Sequence, residues 1–395
     1  MNILMLTTAY GKGGAATNQL WTELGDHLSH EHQVTVLTAY PVERRDEGTR
    51  QGVHIIPVAG KILPKIANRH LREVALWFCM AWRVIFLSGR YDLVICVDTP
   101  RFATLIAGIR KLKDRSRIVM WVMDLPLEQI VRRRDAVKRR SLTAKISNRL
   151  YYYSLQLADR IVVIGSCMRE LLARRGVPQE KMVVIGPWAE DSTGIKRWDS
   201  SAARTEQGLP EWFTILYSGY AGAWHEFLPI VEAIPDLLEM LPLQFVFAGS
   251  GLGIDLVAAA KEKHGWDRVW IKERVSWEQY ACFACCGDIH LVSLKENMLG
   301  TCSPSKTYSS MAFERPVVFL GPESCQAAMD IKEAQAGEVV GNKEELIAAI
   351  KKLFGDRQLL ESYGRNAREA FLNKHSASVN LALWDAVLSE VKAGH

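Results

Sequence analysis

The chain has 395 residues, 48% hydrophobic and 24% charged, the composition of a soluble globular protein with room for two or three cores. Its net charge of +5 joins two unlike halves: 29 Lys and Arg against 16 Asp and Glu up to Ile185, a net +13, then 20 against 28 from Gly186 on, a net −8. The longest apolar run, Val74 to Leu87, is too short to span a bilayer and contains Arg83, and eight cysteines without framework spacing exclude a disulfide scaffold.

Asn2-Ile3-Leu4-Met5-Leu6 opens a strand at once, so no secretory signal is expected, and the scattered cysteines suit a reducing cytoplasm. Apolar runs at 2–8, 33–38, 53–58, 91–97, 117–123, 160–165 and 182–185 read as strands. Helical patterns at 15–29, 66–88, 101–112, 144–158 and 167–175 alternate with them. Gly186-Pro187-Trp188-Ala189-Glu190-Asp191, with the polar stretch to Glu211, marks a boundary. Beyond it, strands at 213–218, 243–248, 268–272, 288–294, 316–320 and 337–340 repeat the alternation. We expect an α/β protein with two parallel sheets: one domain over 1–190, a second over 191–375, and a terminal helix within 376–395.

Along this frame, several stretches carry possible chemistry. The first turn, Tyr10-Gly11-Lys12-Gly13-Gly14, lets the backbone approach a phosphate at the start of the next helix, although a plain tight turn needs the same glycines. It is neither a GxGxxG fingerprint nor a P-loop. Residues 61–90 join Lys61, Lys65, Arg69 and Arg72 to Trp77, Phe78, Trp82 and Phe86, which suits either a helix on an anionic membrane or a core helix with a basic outer face. Arg132, Arg133, Arg134, Lys138, Arg139 and Arg140 form a second basic cluster, a solvated loop or an anion-binding rim. Just before it, Asp124 closes a strand and either caps a helix or presents a carboxylate at the strand's carboxyl end.

The most informative stretch comes late. The apolar run Asp288–Leu294 leads to Ser303-Pro304-Ser305-Lys306-Thr307-Tyr308, and Arg315-Pro316 then ends a helix before the strand at Val317. Ser303 suits an N-cap and Pro304 the first helical position. Free backbone N–H groups there, with the Ser305 hydroxyl and the Lys306 ammonium, would hold an anion at the strand ends.

Other clusters offer less. Cys282, Cys285 and Cys286 fall within one helical pattern without a second ligand pair, so they read as buried thiols. His225 and His290 lack ligand spacing, and no Asp-x-Asp, GxSxG or His-Glu-x-x-His occurs. The basic residues lack the aromatic interleaving of a nucleic-acid platform.

The stretch Ser303–Leu320 resembles a segment of retaining GT-B glycosyltransferases of family four, in which a Pro-Ser-Lys-x-Tyr helix precedes a Met-Ala-x-Gly-x-Pro-Val-Val turn. Most similar are bacterial members that build O-antigen, capsule and related surface polysaccharides. The Gly13-Gly14 loop, the Asp124–Glu128 pair, the Gly186–Asp191 hinge, Leu216-Tyr217-Ser218-Gly219, the Phe245–Gly251 strand and turn, and Glu333–Val340 resemble further family segments, so the likeness covers nearly the whole chain. It implies two Rossmann-like domains facing across a cleft, a UDP- or GDP-sugar donor, no metal and no permanently bound cofactor. It also implies a lipid-linked or saccharide acceptor, no nucleic acid, and work at the inner face of the cell membrane. Lys306, Asp124 and Glu296 would be catalytic. Gly13, Gly14, Gly219, Gly249, Gly251, Arg274, Ser303, Ser305, Lys306, Tyr308 and Ser309 would hold the donor. The two basic clusters, with Trp77 and Trp82, would face acceptor and membrane.

The chain departs from the family where many members carry two glutamates eight positions apart. Thr301 and Ser309 stand there, Glu296 offers a nearby carboxylate, and Glu314 replaces the usual Gly. A GT-B sugar-nucleotide epimerase, or a catalytically silent GT-B scaffold binding a membrane or partner, remains an alternative reading.

Overall fold

The structure, a computed structural model, describes residues 1–11, 16–41, 48–50, 52–58, 68–133, 142–189, 199–273, 275 and 277–393. The chain divides into two units, Met1–Gly186 with Leu381–His395, and Pro187–Asn380.

Unit 1 is built on eight strands: β1 (Asn2–Tyr10), β2 (Gln33–Pro41), β3 (Gly48–Arg50), β4 (Val53–Pro57), β5 (Leu93–Val97), β6 (Arg117–Val122), β7 (Arg160–Val163) and β8 (Met182–Val184). Their order is β3-β4-β2-β1-β5-β6-β7-β8, and only β3, antiparallel to β4, breaks the parallel run. All five residues of β5 are buried, as expected of a parallel strand covered on both faces. The chain winds outward from β1 to one side and from β5 to the other, so the switch point lies between these two strands. Thr8 and Thr99 bridge it by a hydroxyl hydrogen bond of 3.1 Å.

Three tryptophans bind the sheet to its helices. Trp21, on the helix Ala16–Leu28, lies 5.8 Å from Trp121 of β6, and Trp121 lies 5.0 Å from Trp384 on the helix Ala377–Ala393. All three are almost fully buried. A His27–Asp385 hydrogen bond of 2.9 Å and the Arg160–Glu390 ion pair lie at the rim of this contact.

Unit 2 carries six parallel strands: β9 (Phe213–Tyr220), β10 (Leu243–Ser250), β11 (Val269–Lys272), β12 (Ile289–Ser293), β13 (Val317–Leu320) and β14 (Gly337–Val340). The order β11-β10-β9-β12-β13-β14 puts the switch point between β9 and β12. On one face Ile215, Tyr217, Phe245 and Phe247 pack with Ile230, Ile234 and Leu237 of the helix Leu228–Met240. On the other, Val292 and Phe319 pack with Met311 and Ile331.

Each strand expected from the apolar runs is present, and three local readings need correction. The strand β3 was not foreseen, because Gly48-Thr49-Arg50 has no apolar run. The segment after Asp124 continues into a helix, Pro126–Arg133, so the basic cluster begins on a helix where the sequence suggested a solvated loop or an anion-binding rim; Pro126 suits a first helical turn. The late helix starts at Lys306 rather than at Pro304, with Ser305 in the cap position, no side-chain cap bond, and the Thr307 N–H donating to the Pro304 carbonyl at 3.1 Å.

The tryptophan contact yields a prediction. Removing the Trp384 indole leaves a large cavity against Trp121, so Trp384→Ala should destabilise unit 1 by about 3–5 kcal/mol. Urea unfolding followed by tryptophan fluorescence checks this; an unchanged midpoint would show that the helix is dispensable to the sheet.

Candidate functional site

In unit 2 the carboxyl ends of β9, β10 and β12 meet the start of the helix Lys306–Ala312. Two glycines let the backbones pass closely. Gly219 (φ 116°) and Gly249 (φ 131°) are register partners, and a Cβ on Gly249 would strike the Gly219 carbonyl. Gly219 also makes room for Lys306, whose Cε would lie 2.9 Å from an added Cβ.

Lys306 is thereby held over the switch point. Its Nζ donates to the Tyr220 carbonyl at 3.0 Å, lies 3.4 Å from His225 Nε2, and stands 5.2 Å from the centroid of the Tyr217 ring. Burial lowers its pKa to about 8, with the neighbouring Cys302 acting weakly the other way. Among the described residues no carboxylate pairs with it. The ammonium is therefore a positive charge compensated only by dipoles.

Around it the expected donor residues take different places. Ser309, in the first turns of the helix, shares side-chain hydrogen bonding with Tyr280, which also bonds Ser218, so three partly exposed hydroxyls gather beside the helix start. Ser303 and Ser305 lie in the turn leading to Lys306, and the N–H groups of Ser305 and Lys306 precede the first turn bond, made by Thr307. Gly251 (φ 110°) opens the helix Leu252–His264. Tyr308 is fully buried, donates to Asp330 at 2.9 Å, and its ring lies tilted against His375 with centroids 4.4 Å apart. It supports the helix from within the core and does not face the strand ends. Glu296 is exposed in the short turn Glu296–Met298. Thr301 is buried and bonded to the Met298 carbonyl at 2.7 Å. Gly13, Gly14 and Arg274 lie outside the described residues.

In unit 1 the acidic pair separates into two roles. Asp124 is partly exposed at the end of β6, accepts from Gln129 at 3.3 Å, and is raised to about 7 chiefly by burial. Glu128 is buried and accepts from Tyr152 (2.8 Å), Arg132 (3.1 Å) and Arg175 (2.6 Å). Burial alone would raise it, but these donors outweigh burial and hold its carboxyl below the usual range. It anchors the helix Pro126–Arg133 and offers nothing to a ligand, against the sequence-based expectation. Arg132 is likewise engaged with Glu128, so it is not a free rim charge. The helix ends at Arg133, and Arg134, Lys138, Arg139 and Arg140 lie outside the described residues.

The sequence reading missed Asp98. It follows β5 and is buried, and its Oδ2 accepts the N–H groups of Met123 (2.7 Å) and Asp124 (2.8 Å) while Tyr151 donates to Oδ1 at 3.2 Å. Burial raises it to about 8 against the effect of these donors, and its bonds fix the backbone at Asp124. The only advance signal was an acid directly after an apolar strand. His225 was dismissed as a metal ligand, yet it touches Lys306. His290 bonds Ser310 and the Ala284 carbonyl inside the core, and all eight cysteines are free thiols. Among the described residues no cluster suited to a metal ion occurs.

The helix Arg69–Phe86 is amphipathic in an unusual sense. Leu76, Met80 and Val84 face the core, while Leu71 (62% exposed), Val74, Phe78 (63%), Trp82 (66%), Ile85 and Phe86 form a stripe in solvent. Trp82 and Phe86 lie tilted against each other with centroids 4.4 Å apart, whereas Trp77 is partly buried. No described helix is long and apolar enough to cross a membrane.

The Gly219 contact can be tested directly. Gly219→Ala forces the Lys306 stem aside and strains a left-handed backbone, so binding of inorganic pyrophosphate as an anion probe should weaken about tenfold or more on titration calorimetry. Unchanged affinity would place the anion elsewhere.

Residues 13–188 match the glycosyl transferase 4-like domain. Over 280 residues the chain is 24% identical to a protein of Pseudomonas aeruginosa named probable glycosyltransferase WbjE, spanning 69% of this chain and 68% of that one. The Anabaena protein Alr3699/HepE, solved in complex with UDP, superposes with a TM-score of 0.71 at 15% identity, covering 99% of this chain and 100% of its own. WaaG, a glycosyltransferase involved in lipopolysaccharide biosynthesis, gives 0.71 at 14% identity, covering 97% and 99%. The chain accordingly has the GT-B fold, and its likeness over residues 13–188 to the glycosyl transferase 4-like domain, with that to a relative named glycosyltransferase, supports transferase activity.

Proposed function

We propose that this glycosyltransferase moves a sugar from a uridine-diphosphate sugar to a lipid-linked acceptor, with retention of anomeric configuration. The observation that carries the reading is the uncompensated Lys306 ammonium at the switch point of unit 2. A group so placed, with no carboxylate to neutralise it, is suited to a diphosphate. The HepE complexes with UDP and with UDP-glucose favour uridine over guanosine, and Tyr280, Ser218 and Ser309 offer hydroxyls to the donor. Retention rests on the likeness of Ser303–Leu320 to retaining relatives.

In the reaction the bond between the anomeric carbon and the diphosphate oxygen breaks, and its electron pair leaves with UDP. Lys306 stabilises the charge that develops on that oxygen. The acceptor hydroxyl forms the new bond to the anomeric carbon and gives its proton to the departing diphosphate. Within unit 1, Asp124, held in place through Asp98, is a partly exposed carboxylate suited to an acceptor hydroxyl. Since charge stabilisation comes from the ammonium and backbone N–H groups, no metal is required.

Mass spectrometry of products from a panel of nucleotide sugars and a lipid extract should show transfer that continues in EDTA. Lys306→Ala should weaken UDP binding about tenfold to a hundredfold, the value of a hydrogen bond to a charged group. Equal affinity in the variant, or activity lost to EDTA and restored by a divalent ion, would reject the assignment.

The lipid half of the proposal rests on the helix Arg69–Phe86. Its exposed Phe78, Trp82 and Phe86 lie in a half that carries +13, a combination suited to the anionic inner face of a membrane. WaaG's involvement in lipopolysaccharide biosynthesis agrees with such an acceptor. The protein should float with anionic but not zwitterionic vesicles, less so in high salt, and Phe78→Ser with Trp82→Ser should abolish flotation while sparing UDP affinity. Flotation by the double variant equal to wild type would leave a soluble acceptor.

A further inference from the structure

The structure assigns His225 the role of a positioning residue that holds the Lys306 ammonium at the strand ends and keeps it charged; this rests on the nucleotide-binding reading of Lys306. The geometry fixes the tautomer. His225 Nδ1 lies 2.6 Å from the Ser293 carbonyl, which can only accept, so Nδ1 carries the proton. In a neutral ring Nε2 then has a lone pair, and it faces Lys306 Nζ at 3.4 Å. An ammonium only donates, so this long hydrogen bond runs from Lys306 to His225.

The ring is fixed where it stands. His225 is 6% exposed, its ring lies edge-on to Tyr217 with centroids 6.2 Å apart, and Trp224 lies beside it at 6.0 Å. It comes from the loop after β9 and bonds the last residue of β12, so one side chain joins both sides of the switch point. The titratable and charged groups around the pair are Tyr217, Cys302 and Lys295. Burial first, then the positive charge of Lys306, lowers His225 to about 3, so the ring is neutral and accepting at any working pH. Of the three ammonium hydrogens, Tyr220 and His225 take two, and the third is available to a ligand oxygen.

UDP titration calorimetry from pH 6 to 9.5 tests this on the full chain. Wild-type affinity should fall above pH about 8, as Lys306 loses its proton. His225→Leu removes the acceptor: at pH 7 it should bind UDP about tenfold more weakly, and its decline should begin at lower pH. His225→Gln, whose amide oxygen reaches the Nε2 position, should recover most of the affinity. His225→Asn keeps a donor for Ser293 but falls short of Lys306, and should not. In a Lys306→Ala background His225→Leu should add no further loss. Wild-type affinity and pH profile in His225→Leu, full additivity of the two losses, or equal binding by the Gln and Asn variants would each overturn the assignment. Should the Leu variant fail to fold, the Gln and Asn pair decides. Absence of UDP binding by the wild type would overturn the nucleotide reading and this role with it.

Discussion

The ammonium of Lys306, bonded to the Tyr220 carbonyl, sets the conditions under which the strand ends of unit 2 are built. A lysine drawn partly out of water would shed its proton unless dipoles replaced its hydration. Here a carbonyl and a neutral imidazole do so, and neither neutralises the charge. The space for that arrangement comes from Gly219, and the space for Gly219 comes from Gly249 opposite it. Four residues far from Lys306 in sequence, Gly219, Tyr220, His225 and Gly249, thus make a single cation possible. Replacing the carbonyl by a carboxylate would hold the lysine more strongly and destroy its use, since an incoming diphosphate would have to break an ion pair.

Unit 1 solves a related problem with the opposite sign. Asp98 gathers two backbone N–H groups and the Tyr151 hydroxyl, which shapes the chain where β6 ends and leaves the Asp124 side chain partly exposed. Glu128, four residues on, is saturated by Arg132, Arg175 and Tyr152. Three nearby acids therefore divide into an organiser, an accessible group and an anchor. Burial and partner number separate them, because acids of the same chemistry differ only in environment.

The strands were legible because a parallel strand covered on both faces is a continuous apolar run, and β5 and β12 are such runs. Lys306 was legible as well, since the turn before its helix carries recognisable residue types. Its partners were not: Tyr220 and His225 lie more than eighty positions away, and only the sheet topology brings them to it. The same nonlocality misled the reading of Tyr308, which sits beside Lys306 in sequence and points into the core toward Asp330. Arg132 looked free because its partner Glu128 becomes a neighbour only once Pro126–Arg133 is a helix.

The charge division between the halves has to be reconciled with an anion in the more acidic one. From Gly186 on the chain carries a net −8, which taken alone would repel a nucleotide sugar. Charges beyond about 8 Å are screened at physiological ionic strength, so the total matters less than the nearest groups. At the strand ends of unit 2 those are Lys306, Lys295 and neutral dipoles. Attraction there is short-ranged and depends on fit. On the proposed membrane surface the basic half would work differently, since a membrane presents many charges at once and sums the contributions of exposed Lys and Arg. Net charge therefore bears on the proposed lipid surface, and local geometry on the proposed nucleotide site, so a net negative half is compatible with a donor site at Lys306.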